Sequence, residues 1–413
     1  MRSSQSSALF RLSVFCFGLA LALTPAVCAG SRWKVLYRFN GGNDGAGPNA
    51  IILGSRGNLY GTAQEGGGSA CEYYYSGCGV VFEITRSNKG QWQEIVLYAF
   101  QGGTDGGQPV GNLLFDAAGN LYGTTTYGGT GSCQFGCGTV FELSPRQNGW
   151  TETALYSFQN GSDGAYPDGL AFDASGNLFG VSQSDTYGSL MFELSPPQQK
   201  RGAWTETTIY TQDFGAFSPN LVFDNKGLLY DTSPSSSNVF DLQQVGQNWQ
   251  ETDLFEFKGG GYGGKPESGI IFDNRGNMYG TAIAGGNNWG IAFELKYNGG
   301  KWKQVMLHNF CSWNNCADGA LPYAPLTFDR HGNLYGMTEE GGKGSGNGCT
   351  GCGVVFKLSP ARTGKWKETV LHNFQGTDGQ GSIIGNLVLD DKGRIYGIGT
   401  GIVSLGLVFE ITP

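Results

Sequence analysis

Gly119-Asn120-Leu121-Tyr122-Gly123-Thr124 decides the fold, because the chain keeps returning to it. It recurs at 57–62, 176–181, 276–281 and 332–337, with worn copies at 227–231 and 393–397. Seven copies spaced 49 to 62 residues apart mark a repeat architecture, in which no unit buries its apolar face without neighbours. Around the second copy, four strand-like runs follow one another at 112–116, 120–125, 138–143 and 150–158. We label them A to D. Runs A to C are apolar without clean alternation, as expected of strands covered on both faces. Run D alternates and carries charge, as an outer edge should.

Counting the runs sets the topology. Run D is headed by Trp33, Trp92, Trp150, Trp204, Trp249, Trp302 and Trp366, and run C is centred on Phe82, Phe141, Phe192, Phe240, Phe293, Phe356 and Phe409. The repeats therefore start with an orphan D run at 33–39 and stop after a C run. A closed ring resolves both ends, and the expectation is an all-β, seven-bladed β-propeller of four-stranded blades whose N-terminal strand completes the last blade. The pattern Phe-Asp-x-x-Gly-Asn-Leu-Tyr-Gly-Thr-Thr-x-x-Gly-Gly…Gly-Thr-Val-Phe-Glu-Leu, clearest over 115–143, resembles the GloVer tandem-repeat family of exported bacterial proteins. That resemblance implies the propeller and names no reaction.

Composition agrees with many short strands. There are 71 glycines among 413 residues and 13% aromatics, which suits neither a helical protein nor disorder. The net charge of −8, with no basic block, argues against a nucleic-acid partner. Residues 1–29 read as a signal peptide: Arg2 and Arg11, an apolar run at 12–23, then Val27-Cys28-Ala29 as a cleavage pattern. The expected domains are this leader and a single propeller at 30–413. The mature chain is expected to be secreted or periplasmic, monomeric and without a membrane span.

Eight cysteines follow the leader in four close pairs, Cys71/Cys78, Cys133/Cys137, Cys311/Cys316 and Cys349/Cys352. In an exported chain such pairs read as local disulfides. Zinc is the competing reading, but histidine partners are missing and the pairs sit on different repeats.

Strand direction alternates, so the B–C and D–A links share one face. All four cysteine pairs and most length variation fall there, with long B–C links at 63–78, 125–137 and 339–352. Elaborated loops on a rigid scaffold are where binding usually resides. Tyr73, Tyr74, Tyr75, Tyr127, Phe135, Trp289 and Trp313 lie in these links and suit a glycan face or a loop of an envelope or extracellular protein. Recognition is expected over blades 6, 7, 1 and 2. The Asp of each A–B turn reads as a turn former. So do Asp44, Asp105, Asp163, Asp318 and Asp378 of the D–A links, with calcium as the alternative and no other cofactor expected. His308, His331 and His372 do not converge, which disfavours histidine-based catalysis. The favoured function is therefore non-enzymatic binding. The alternative is a propeller enzyme, either a polysaccharide lyase or hydrolase or a lactonase-like metal enzyme, and it requires polar groups converging at the central channel.

Overall fold

The computed structural model describes residues 31–413 except 69–70, 72–75, 185–186, 200–201, 213–216, 347–348, 363, 382–384 and 402–404, and no side chains within 345–350. Blade 2 shows how the motif folds. Strands A (Gly107–Phe115), B (Leu121–Tyr127), C (Thr139–Arg146) and D (Gly149–Ser157) pair antiparallel in that order. The A–B turn is tied by Asp116, whose Oδ1 accepts the N–H groups of Ala118 and Asn120 at 2.9 and 2.8 Å. Gly119 supplies the left-handed backbone the turn needs, with φ +86°. Within strand B, a Cβ on Gly123 would lie 2.6 Å from the Phe141 ring, so the motif glycine makes room for the strand C phenylalanine.

Seven such blades close into a ring, and the described residues contain no α-helix. The N-terminal strand Arg32–Arg38 pairs antiparallel with Leu407–Thr412, Trp33 opposite Ile411 and Val35 opposite Phe409, and so completes the last blade. The blades are joined by a repeated aromatic contact. Each strand C phenylalanine packs on one from the end of the preceding blade: Phe82 on Phe39, Phe141 on Phe100, Phe293 on Phe257, and likewise at the other four joints, with centroids 4.9 to 5.9 Å apart. Each pair contributes about 1 kcal/mol beyond the apolar area it buries.

Strand A departs from the expected 112–116. In blade 2 it starts at Gly107, because the link pairs with strand B (Gly107 opposite Tyr127) across an irregularity between Val110 and Leu114. In blades 4, 5 and 6 it shrinks to Val222–Phe223, Ile270–Phe272 and Thr327–Phe328. Blade 4 also breaks the motif, with Asp231 in the glycine position. Asp231 is fully buried and neither carboxylate oxygen has a hydrogen-bond partner, so burial pushes its pKa well above the carboxylate range.

A pre-organised face built from the blade links

The D–A and B–C links form one face of the disc, and a backbone belt locks them together. Gln108, Tyr166, Lys265 and Leu321 each precede a proline and are held at φ +52 to +56°, while Gly47 does the same at +63°. Such a conformation costs a non-glycine residue on the order of 1 kcal/mol, so the surroundings must enforce it. They do so across the joints. The Gly47, Gln108, Tyr166 and Leu321 N–H groups donate to the carbonyls of Leu405, Cys78, Cys137 and Trp289 in the preceding blade, at 2.8 to 2.9 Å. Lys265 N–H reaches Ser237 Oγ instead, at 3.3 Å.

The D–A aspartates accept from the end of their own strand D. Tyr37, Tyr98 and Tyr156 donate their hydroxyls to Asp44, Asp105 and Asp163 at 2.8 to 3.0 Å. His308 and His372 replace the tyrosine and sit 3.1 and 2.9 Å from Asp318 and Asp378. Backbone N–H groups of Asn40, Gln101, Gln159 and Ser312 complete the turns. Burial works to raise Asp318, but His308, the Ser312 hydroxyl and the Ser312 and Trp313 N–H groups outweigh it and hold its carboxyl down at about 2. Among the described residues no group of three or more His, Cys, Asp or Glu side chains is arranged to hold a metal ion.

Cys71–Cys78, Cys133–Cys137 and Cys311–Cys316 are disulfides within single links. Cys352 is also disulfide-bonded, while the Cys349 side chain lies outside the described residues. Among the described residues, no helix is long and apolar enough to cross a membrane.

The aromatic residues of this face divide into three groups. Tyr73, Tyr74 and Tyr75 lie outside the described residues. Tyr127 and Phe135 are half-buried and pack edge to face, centroids 6.0 Å apart, with Tyr166 on the other side of Tyr127 at 5.9 Å. Trp289 and Trp313 remain open, 40% and 45% exposed. Tyr262, in the link entering blade 5, is 68% exposed; it hides in the glycine-rich stretch 259–264, which reads as a turn. Tyr187, in the B–C link of blade 3, is 46% exposed as well, and the other exposed rings of this face belong to blade 5 and its two flanking links.

Carboxylates gather at the same sector. Glu267 of blade 5 and Glu339 of blade 6 both lie close enough to Tyr323 for their charges to raise its phenol pKa, after burial itself. Burial raises Glu339 further, aided by the charge of neighbouring Glu340, and burial also raises Glu267 against the pull of Lys265. The backbone ties this group to Trp289, since Leu321 donates to the Trp289 carbonyl and accepts from the Glu339 and Tyr323 N–H groups. Glu339 lies beyond strand B of blade 6, which ends at Met337, so strand alternation does not separate it from Glu340.

The sequence profile of the Gloeobacter/Verrucomicrobia repeat matches three overlapping segments, 17–190, 69–239 and 218–413. The chain belongs to this repeat family. The family match spans every blade. Comparison with curated proteins gave no match. Among solved structures, virginiamycin B lyase from Staphylococcus aureus superposes with a TM-score of 0.57 at 12% identity, covering 93% of this chain and 99% of that one. A protein from Lactobacillus plantarum gives 0.52 at 14% identity, covering 82% and 86%. A putative 6-phosphogluconolactonase from Bacteroides fragilis gives 0.50 at 13% identity, covering 81% and 94%. At such identities these likenesses establish the propeller fold alone.

Proposed function

We propose that this repeat protein is an exported, non-enzymatic propeller that binds a glycan on its long-loop face, over blades 5 and 6. The observation that carries the reading is the exposure of Trp289, Trp313 and Tyr262 on links whose backbones are tied down. Exposed aromatic rings are costly to leave in water and suit the apolar faces of sugar rings. Glu267 and Glu339 beside them offer acceptors to sugar hydroxyls. The Cys311–Cys316 bridge closes the link that carries Trp313, which reduces the ordering cost of binding. Disulfides in four links agree with an extracytoplasmic address.

A glycan array with the mature chain identifies the ligand, and calorimetry of Trp289→Ala and Trp313→Ala then tests the site. Each change is expected to weaken binding by about 2 kcal/mol with little change in Tm. Binding that survives both changes places the site elsewhere. A second reading, a polysaccharide lyase or hydrolase, draws on the raised pKa values of Glu267 and Glu339. The same glycans, assayed for new reducing ends, separate the two.

A further inference from the structure

The opposite face carries a feature that glycan binding on the long loops does not use. At the joint of blades 7 and 1, a cleft of about 320 Å3 is lined by Arg56, Arg86, Lys392 and Arg394 and by no carboxylate. Four cations converge there in a chain of net charge −8. Arg56 and Lys392 come from A–B turns, and Arg86 ends strand C of blade 1 (Val80–Arg86). The carboxylates behind the cleft are already engaged. Glu83 accepts from Asn58 and Tyr60, and Asp390 and Glu410 face Arg394. Arg56, Arg86 and Lys392 are exposed and have no carboxylate within ion-pair distance among the described residues. The Arg86 guanidinium lies 4.6 Å over the Trp92 ring, a cation–π contact that helps hold it at the cleft.

The cleft also continues at both ends. Arg86 is shared with a cleft of about 640 Å3 that runs along the C–D link past Lys89. Lys392 is shared with one of about 590 Å3 between blades 6 and 7, where Arg330 and Lys357 lie beside Asp329, Asp390 and Asp391. Spaced cations from Lys89 through Arg86 and Arg56 to Lys392 fit an extended polyanion better than a single small anion, and the aspartates of the third cleft end the track beyond Lys392. Its concave, polar walls fit a chain better than a flat lipid surface.

We propose that this track binds an acidic polysaccharide, with uronate carboxylates paired to Arg56, Arg86 and Lys392. Fork-shaped guanidinium groups pair with planar carboxylates through two hydrogen bonds, and exposed pairs of this kind weaken with salt. The test uses alginate, a linear polyuronate, with the full mature chain in affinity electrophoresis and calorimetry. Binding is expected at low ionic strength and loss at high ionic strength. The double variant Arg86→Gln/Lys392→Gln should bind about tenfold more weakly with an unchanged Tm. Trp289→Ala should bind alginate normally, so failure of the long-loop reading and failure of this one are distinguishable. Absence of alginate binding overturns the proposal, as does binding unchanged in the double variant. Equal binding to neutral dextran, or preference for phosphatidylglycerol vesicles over alginate, overturns it as well.

Discussion

Asn386 of the last blade grips Ile51 of the first through both ends of its amide. Its Oδ1 accepts the Ile51 N–H at 3.0 Å and its Nδ2 donates to the Ile51 carbonyl at 3.0 Å. Asn112 makes the same clasp on Leu170 between blades 2 and 3. Replacing either asparagine by leucine leaves an inward-facing N–H and C=O without partners, which costs about 1–3 kcal/mol. Urea denaturation of Asn386→Leu and Asn112→Leu should show losses of similar size. A much smaller loss at Asn386 would mean that the seam between the first and last blades relies on strand pairing alone.

The N-terminal strand is the second element of that seam. Deleting residues 31–41 uncovers the edge of Leu407–Thr412 and removes Trp33, which stacks on Phe409 at 4.3 Å. An open strand edge templates association, so the truncated chain should aggregate or melt well below the parent. A truncated chain that stays monomeric in light scattering, with the parental Tm, would show that the ring does not need this strand.

At four joints a strand D glutamate faces an aspartate of the neighbouring link. Glu94, Glu152, Glu206 and Glu368 of strand D are pushed up to about 7, 7, 7 and 8, first by burial and then by Asp44, Asp105, Asp163 and Asp318 of the neighbouring link. Glu368 is 6% exposed and neither of its carboxylate oxygens has a hydrogen-bond partner. At the joint of blades 4 and 5, the link lacks the aspartate and strand D carries Gln304, which donates to the Tyr262 carbonyl. The folded pKa values lie above the unfolded value of about 4.3. Their contribution to stability is therefore fully present below that value and is lost as pH rises through 7 to 8. Tm should fall between about pH 5 and pH 8.5, and Glu368→Gln should flatten the slope. Asp231→Asn acts in the same sense, raising Tm at alkaline pH more than at acid pH. A Tm profile in Glu368→Gln as steep as in the parent sinks this account.

The disulfides close loops of four to seven residues in sequence separation, so each contributes modestly, about 2 kcal/mol or less. Non-reducing peptide mapping should recover the three bridges and Cys349–Cys352. Reduction should leave the β-sheet circular dichroism intact while weakening whatever the long-loop face binds. Loss of the sheet signal on reduction would assign these bridges to the ring rather than to its loops.

Blade number, strand order and ring closure were legible in the sequence because each depends on local pattern. The Gly-Asn-Leu-Tyr-Gly motif, the Trp-headed strand D and the Phe-centred strand C repeat with each blade, so counting them sufficed. Strand A was the exception. Its first half pairs only after the link crosses to strand B, and in blade 4 the buried Asp231 replaces the motif glycine. The candidate site was legible only in outline. The face followed from alternating strand direction, but the exposure of each ring did not: Tyr127 covers Phe135, whereas Trp289, Trp313 and Tyr262 stay open. Exposure depends on how neighbouring links pack, and the composition of a link does not carry that information. The same holds for charge. Asp44 and Glu94, or Arg56 and Lys392, are far apart in the chain and meet only when adjacent blades dock, so tertiary structure alone decided which charges face one another.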